Sequence, residues 1–419
     1  MRPAAIILAA FALTACAAKA PLSLQVVRSE IARNPEASYI DGLDGKLKWN
    51  YTTGLELKAF LDACYPDAAF DSADLPSAVR KTDLMPSEGS SAAMAASADI
   101  LNYVDAWYDA IIEEDGTIGV NYKKSNYSTD HICPGKTLFK LYDLTGKEKY
   151  RRAMDKLYEQ VQEQPRTPEG GFWHKKIYPN QMWLDGLYMA QPFYAEYTAR
   201  YVADSLKARN FSDIAWQFEL VWEHTYDAAT GLLRHAWDSS HEMFWCEPQT
   251  GRSAHAWGRA CGWYAMALVD VIPFFPEGSE KAKLETMLSN LMENIQAYAD
   301  PATGMWYQVL DRPGAEGNYV EATASAMFIY AMLKGIRLGY IQNIPLETAR
   351  AKYSSLLETF VTTDAEGLVN LNQCCEVAGL GGKENRSGTY DYYINEKIRS
   401  NDPKGIGPLI WAALEYERK

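Results

Sequence analysis

The sequence predicts an all-α fold, an (α/α)6 toroid of six helical hairpins with short extended turns crowded at one mouth. The first observation is period. YTTGLELKAFLDACY, TLFKLYDLTGKEKYRRAMDKLYEQVQEQ, GWYAMALVDVIPFF, KAKLETMLSNLMENIQAYA and ASAMFIYAMLKGIRLGYI carry apolar residues at three- and four-residue steps, the spacing of a helix face. The second is the lack of long alternating runs of the kind that build sheets. The third is recurrence. A polar turn with Gly, then alternating apolar and polar residues, then a helical run, occurs six times. It is found at DGKLKWNYTTG from Asp44, DGTIGVNY from Asp115, EGGFWHKKIY from Glu169, TGLLRHAWD from Thr230, TGMWYQVLD from Thr303 and EGLVNLNQ from Glu366. The glycines (Gly45, Gly116, Gly170, Gly231, Gly304, Gly367) stand 54 to 73 residues apart, room for two ordinary helices and their turns. Helices that are apolar on broad faces need partners on two sides, and a closed ring supplies them. A generic α-solenoid, the alternative, would show more uniform repeats and would need caps.

From the N-terminus, Met1–Arg2 and the short apolar run Pro3 to Leu13 read as a secretion signal, too short to anchor in a bilayer. The run ends in Leu13-Thr14-Ala15-Cys16, which resembles a bacterial lipobox with Cys16 as the lipidated residue. The expected organisation is a signal peptide over 1–15, a lipidated Cys and tether or first segment over 16–40, and one domain over 41–419. No later run is long and apolar enough to span a membrane, so membrane contact is expected only through the lipid. The expected location is the bacterial cell envelope, in the periplasm or at the outer membrane. Residues 66–99 are rich in Pro, Ser, Ala and Asp and read as a connection or partly irregular helix inside that domain. Six cysteines follow Cys16, with no C-x-x-C pair; Cys246, His255 and Cys261 match no zinc spacing, and buried free thiols are expected.

The chain has 419 residues and a formal net charge of −13, which disfavours nucleic acid as a partner. An acidic substrate would need cationic groups focused locally. With 12 Trp and 27 Tyr, the chain has rings to spare for sugar faces as well as for its core. Asp185 stands out because it interrupts the apolar, aromatic stretch NQMWLDGLYMAQPF, read as the start of a buried helix; such a setting disfavours a charged carboxylate. Asp130, in STDHICPGKTLFKLY, precedes a helix and could equally be its N-cap. HAWGRACGW brackets Arg259 with Trp257 and Trp263, and a guanidinium both stacks on indole and grips a carboxylate. Two of the six His, His174 and His235, fall at the same place in two of the six turns.

These pieces resemble glycoside hydrolase family 105, the unsaturated rhamnogalacturonyl hydrolases, and more distantly the unsaturated glucuronyl hydrolases of family 88. The matching motifs are WNYTTG (49–54), STDHICPGK (128–136), GGFWHKK (170–176), QMWLDGLYMAQPF (181–193), GLLRHAWD (231–238), HAWGRACGW (255–263), YVEATASAMFIYA (319–331) and SGTYDYYINEKIRSNDPKGIGPLIWAA (387–413). They come in family order and span almost all of the mature chain. Family members more often carry Gly-Asn where this chain has Ala260-Cys261. The resemblance implies a pectin-degrading glycosidase that takes a terminal 4,5-unsaturated uronate left by a lyase and hydrates its enol ether. It implies Asp185 as general acid and base, with Asp130 as its acidic neighbour. It further implies Arg259, His235, His174 and Lys175 around the uronate carboxylate, and Tyr51, Trp183, Trp257 and Trp263 as ring platforms. No metal or organic cofactor is implied. The sequence leaves open galacturonyl against glucuronyl substrates, the leaving sugar and the oligomeric state. Its rivals are a lyase or epimerase on the same toroid and a non-catalytic glycan-binding lipoprotein.

Overall fold

The computed structural model describes residues 20–65 and 91–418, with side chains in the second segment from residue 97. The signal and lipobox residues, Cys16 included, lie outside the described residues, as does most of the 66–99 stretch; its last part is already helix. The helices are α1 (Leu22–Arg33), α2 (Tyr51–Cys64), α3 (Ser91–Ile111), α4 (Gly135–Thr145), α5 (Glu148–Glu163), α6 (Leu184–Tyr201) and α7 (Asp204–Thr225). They continue with α8 (Gly258–Val271), α9 (Ser279–Asn294), α10 (Ala322–Arg337), α11 (Leu346–Phe360), the short α12 (Tyr390–Ile394) and α13 (Pro403–Glu417).

Six of these form the inner wall: α2 packs on α4, α4 on α6, α6 on α8, α8 on α10, α10 on α13, and α13 back on α2. Each has an outer partner: α3, α5, α7, α9, α11 and, for α13, the N-terminal α1. The ring is therefore closed by the two ends of the chain. Ser23 bonds Glu417 through backbone N–H (3.1 Å) and hydroxyl (2.6 Å), and Val26 and Val27 are fully buried. The part of the expected tether or first segment from Leu22 on is thus packed into the domain.

All inner helices begin at the same end, and each is reached from an outer helix through a long loop. The six glycines of the recurring turn lie in these loops, and all have φ between 71° and 97°, a left-handed conformation that costs Gly little and other residues more. Small antiparallel pairs flank some of the turns, such as β2 (Tyr226–Asp227) with β3 (Leu232–Leu233) around Gly231. The connections at the opposite end that lie among the described residues are short, as between α4 and α5 or α6 and α7. This asymmetry puts irregular, side-chain-rich chain at one mouth and tight turns at the other. It also aims six helix N-termini, the positive ends of their dipoles, toward the mouth.

The buried residues form one large apolar cluster through the ring and a small second one at the mouth, with Tyr178, Trp183, Ala236, Trp245, Cys246 and Leu380. The six described cysteines are buried and unpaired. A cavity of about 100 Å³ lies at the short-loop end, lined among others by Lys136, Asp270, Tyr330 and Trp411. It is remote from the mouth residues. Its walls carry the ion pairs Lys334–Asp270 (2.6 Å) and Arg337–Glu415 (2.6 Å).

Candidate active site

The stretch around Asp185 is not helical throughout. Gln181–Trp183 is a strand, β1, paired antiparallel with β4 (Ala236–Asp238), Trp183 opposite Ala236. The helix starts only at Leu184, whose N–H donates to the His235 carbonyl at 3.1 Å. Pairing the end of one repeat's turn with the next repeat's turn therefore fixes His235 beside Asp185, the second residue of α6. His235 Nε2 stands 3.3 Å from Asp185 Oδ2. The two atoms are buried and have no aligned hydrogen bond to each other or to another group among the described residues. The Asp185 side chain keeps 14% of its surface exposed. It is a carboxylate at the edge of the mouth with a buried imidazole behind it, rather than one sealed among apolar groups as the sequence suggests.

Asp130 lies in a 3-10 turn, Thr129–His131, five residues before α4. The N-cap position of α4 is Pro134, with no side-chain cap, so capping is not what Asp130 does. It pairs with Lys175 Nζ at 2.5 Å and lies 3.8 Å from His174 Nε2. Burial pushes the Asp130 carboxyl up, but Lys175 and His174 outweigh it and hold the group below its usual range. His174 is also buried, its Nδ1 3.1 Å from the Thr129 hydroxyl. Burial first, then Lys175, push it down to about 4, against the pull of Asp130 and Asp185. Lys175, expected near a substrate carboxylate, is engaged by Asp130. Gly186 makes this close approach possible: a Cβ there would sit 3.0 Å from His174 Nδ1 and 3.5 Å from Thr129 Oγ1.

Arg259 is the second residue of α8, as Asp185 is of α6, and these two inner helices pack together. Its guanidinium is 1% exposed and lies over the Trp257 ring, 4.8 Å from its centroid. Nη1 donates to the Cys375 carbonyl at 2.8 Å, while Nε and Nη2 have no partner among the described residues. Burial opposes the charge; Cys375, Glu321 and Asp402 outweigh it and raise the group further. A buried, permanently charged fork with two unpartnered nitrogens, Nε and Nη2, is matched by an incoming carboxylate. Tyr51 opens α2, half-buried, and feels both Asp130 and Arg259; burial first, then Asp130, push its phenol well up.

The aromatic residues divide. Trp183 packs one ring against His174 (4.6 Å, 11°) and Tyr178 (5.0 Å, 18°). Trp257, 1% exposed, donates its Nε1–H to Gln308 at 3.1 Å and lies 4.8 Å from the His235 ring. Trp263 does not complete a bracket around Arg259. One turn further along α8, it stacks on Tyr188 of α6 at 4.7 Å and belongs to the barrel wall, because a four-residue step on a helix keeps the face but moves about 6 Å down the axis. The departure from the family pattern has a local answer, with the Cys261 thiol donating to the Leu233 carbonyl at 3.3 Å. Sequence reading passed over Tyr393 and Gln308. The Tyr393 hydroxyl lies 2.7 Å from His235 Nδ1, and Gln308 donates to the Tyr393 carbonyl at 3.1 Å. The one signal for Tyr393 was its place in SGTYDYYINEK.

A helical toroid whose mouth gathers two carboxylates, two imidazoles and a buried guanidinium among indole and phenol rings defines a carbohydrate-acting enzyme. Residues 89–419 match the family model described as Glycosyl Hydrolase Family 88, and the chain belongs to that family. A glycoside hydrolase of family 105 from C. acetobutylicum superposes with a TM-score of 0.82 at 39% identity, over 95% of this chain and 99% of that one. The 24.9 kDa protein in picA locus of Rhizobium radiobacter is 40% identical over 233 residues, 54% of this chain and 97% of its own. The unsaturated rhamnogalacturonyl hydrolase YesR of Bacillus subtilis is 27% identical over 250 residues, 57% of this chain and 65% of its own. The protein is a glycoside hydrolase of this group.

Proposed function

We propose that this enzyme removes a terminal 4,5-unsaturated uronic acid from lyase-generated oligosaccharides, with unsaturated galacturonyl-rhamnose as the preferred substrate. The observation that carries the reading is the placement of Asp185 and Arg259 at equivalent positions of adjacent inner helices. One is a proton-transfer group, the other an unsatisfied buried cation suited to the uronate carboxylate. Likeness to the rhamnogalacturonyl hydrolase YesR supports the choice of sugar. In this reaction Asp185 delivers a proton to C4 of the enol ether. Positive charge spreads over C5 and the ring oxygen, water adds at C5, and the Asp185 carboxylate takes the water's second proton. The hemiketal at C5 opens to a ketone, the ring oxygen becomes a hydroxyl on C1, and the C1 hemiacetal expels the leaving sugar. One water is consumed and Asp185 ends as it began. The test is to follow the ultraviolet absorbance of the double bond with unsaturated galacturonyl-rhamnose and with an unsaturated glucuronyl disaccharide. Faster loss on the first is expected. Loss only on the second would reassign the sugar, a rise would mean a lyase, and binding without change would mean a binding protein.

The anchoring of the enzyme follows the lipobox: Cys16 carries a lipid and holds the catalytic domain in the bacterial envelope, at the periplasm or outer membrane. Cys16→Ser is expected to move activity from membranes to the soluble fraction. Unchanged fractionation would contradict the anchor.

A further inference from the structure

Behind Asp185 stands a second layer. His235 is fully buried, with Nε2 toward Asp185 Oδ2 (3.3 Å) and Nδ1 toward the Tyr393 hydroxyl (2.7 Å). Tyr393, on α12, is fully buried too. Its hydroxyl has His235 as its one hydrogen-bond partner among the described residues. A neutral imidazole carries its proton on one nitrogen only, and the other accepts. If Tyr393 accepted from Nδ1–H, its own proton would be buried without an acceptor, which is costly. Donation to Nδ1 leaves nothing unpaired at the phenol. Burial also pushes the Tyr393 phenol far above its usual range, so its proton stays in place. The ring is held: Gln308 donates to the Tyr393 carbonyl (3.1 Å) and accepts from Trp257 Nε1 (3.1 Å), and the Trp257 and Tyr393 rings stack at 6.0 Å.

We propose that Tyr393 is a positioning residue: its hydroxyl donates to His235 Nδ1 and fixes the imidazole with its proton on Nε2, aimed at Asp185 Oδ2. The proposal rests on Asp185 as the proton donor. Oδ2, sealed from solvent, is then the oxygen that accepts from His235, and the transferable proton rides on Oδ1. When Asp185 gives that proton to C4, the new negative charge meets an N–H already in place, and His235 changes neither its charge nor its proton count. The 3.3 Å contact needs only a small rotation to align, as catalytic hydrogen bonds often do when substrate arrives.

The experiment uses the full chain with 15N-labelled histidine. Ring-nitrogen NMR, with the His235 signals identified by their loss in His235→Gln, reads the tautomer directly, and kinetics on the unsaturated disaccharide read its consequence. The wild type is expected to show His235 protonated on Nε2. In Tyr393→Phe the tautomer should become mixed or invert. Its kcat should fall roughly 10- to 100-fold with KM within about 3-fold, on the scale of one hydrogen bond to a charged group. The pH profile of kcat should shift as well, which a mere packing role would not do. A wild-type His235 protonated on Nδ1 overturns the proposal even if the variant does not fold. So does a folded Tyr393→Phe with unchanged kcat and pH profile. Wild-type enzyme that leaves the double bond intact would defeat the functional reading instead, and the tautomer would still be decided by NMR.

Discussion

In the proposed site Arg259 serves as a fork: one nitrogen, Nη1, is spent on the Cys375 carbonyl, and two, Nε and Nη2, have no partner among the described residues. Arg259→Lys keeps a charge but cannot present paired donors. It is expected to raise KM for the unsaturated uronide about 10-fold or more, in keeping with about 1.5–3 kcal/mol for a hydrogen bond to a charged group, with a smaller effect on kcat. Steady-state kinetics would check this; an unchanged KM would return Arg259 to a structural role against Trp257. His174 makes a different prediction. Its folded value near 4 lies below its ordinary 6.5, so between those values the unfolded chain binds the proton that the folded chain refuses. Stability contributed by the neutral ring is therefore full above about pH 6.5 and is lost as pH falls toward 4. Asp130 adds a loss at still lower pH, because its folded carboxyl is held below its usual range. Thermal melts from pH 7 to 4 should show His174→Gln losing less stability than the wild type across that window. At this scale Asp185, Arg259 and His235 could be read from the sequence, because a charge in an apolar run or a His repeated at a turn is a local signal. Tyr393 and the Lys175–Asp130 pair could not. The first partner of Tyr393 is 158 positions away, and nothing local distinguishes a lysine free for substrate from one paired to an aspartate.

The first turn of α6 shows how an element carries the site. β1 pairs with β4, the His235 carbonyl receives the Leu184 N–H, and Gly186 leaves room for His174 and Thr129. Gly186→Ala gains helix propensity of about 1 kcal/mol. Its Cβ at 3.0 Å from His174 Nδ1 must push the imidazole by a few tenths of an ångström. The expected outcome is a variant melting within a few degrees of the wild type but clearly less active. Equal activity would mean that His174 has slack. The helical part of this stretch was legible because its apolar residues follow the helix period. The strand was not: Gln181–Trp183 is three residues long, and its extended state comes from pairing with a distant turn rather than from its own alternation.

Across the whole molecule, the six-fold recurrence of a Gly turn was enough to read the toroid, since each turn marks a passage from outer to inner helix and all six glycines adopt the left-handed conformation that the turn requires. How the ring closes was less visible. The last pair joins α13 to α1, far apart in sequence, and the closing helix begins at Leu22, inside the stretch expected as a tether or first segment. Val26→Ala with Val27→Ala should therefore destabilise the entire domain, by roughly 2 kcal/mol each, from lost burial at about 0.8 kcal/mol per methylene and the cavity left behind. Denaturant unfolding would read this as a lower midpoint of a single transition; an unchanged midpoint would mean that α1 is dispensable to the ring. The closed ring is also what presents Asp185 and Arg259 on adjacent inner helices, where Asp185 is proposed to move the proton that hydrates the double bond. The most direct measurement is the initial rate of double-bond loss from the unsaturated galacturonyl disaccharide by wild type and Asp185→Asn, alongside substrate binding by each. The nearly isosteric Asn can neither give the C4 proton nor take one from water. The rate should fall toward the upper end of the roughly 10²–10⁴-fold range of acid–base catalysis, with binding retained. A folded Asp185→Asn enzyme that removes the double bond at near the wild-type rate would show that Asp185 does not move that proton.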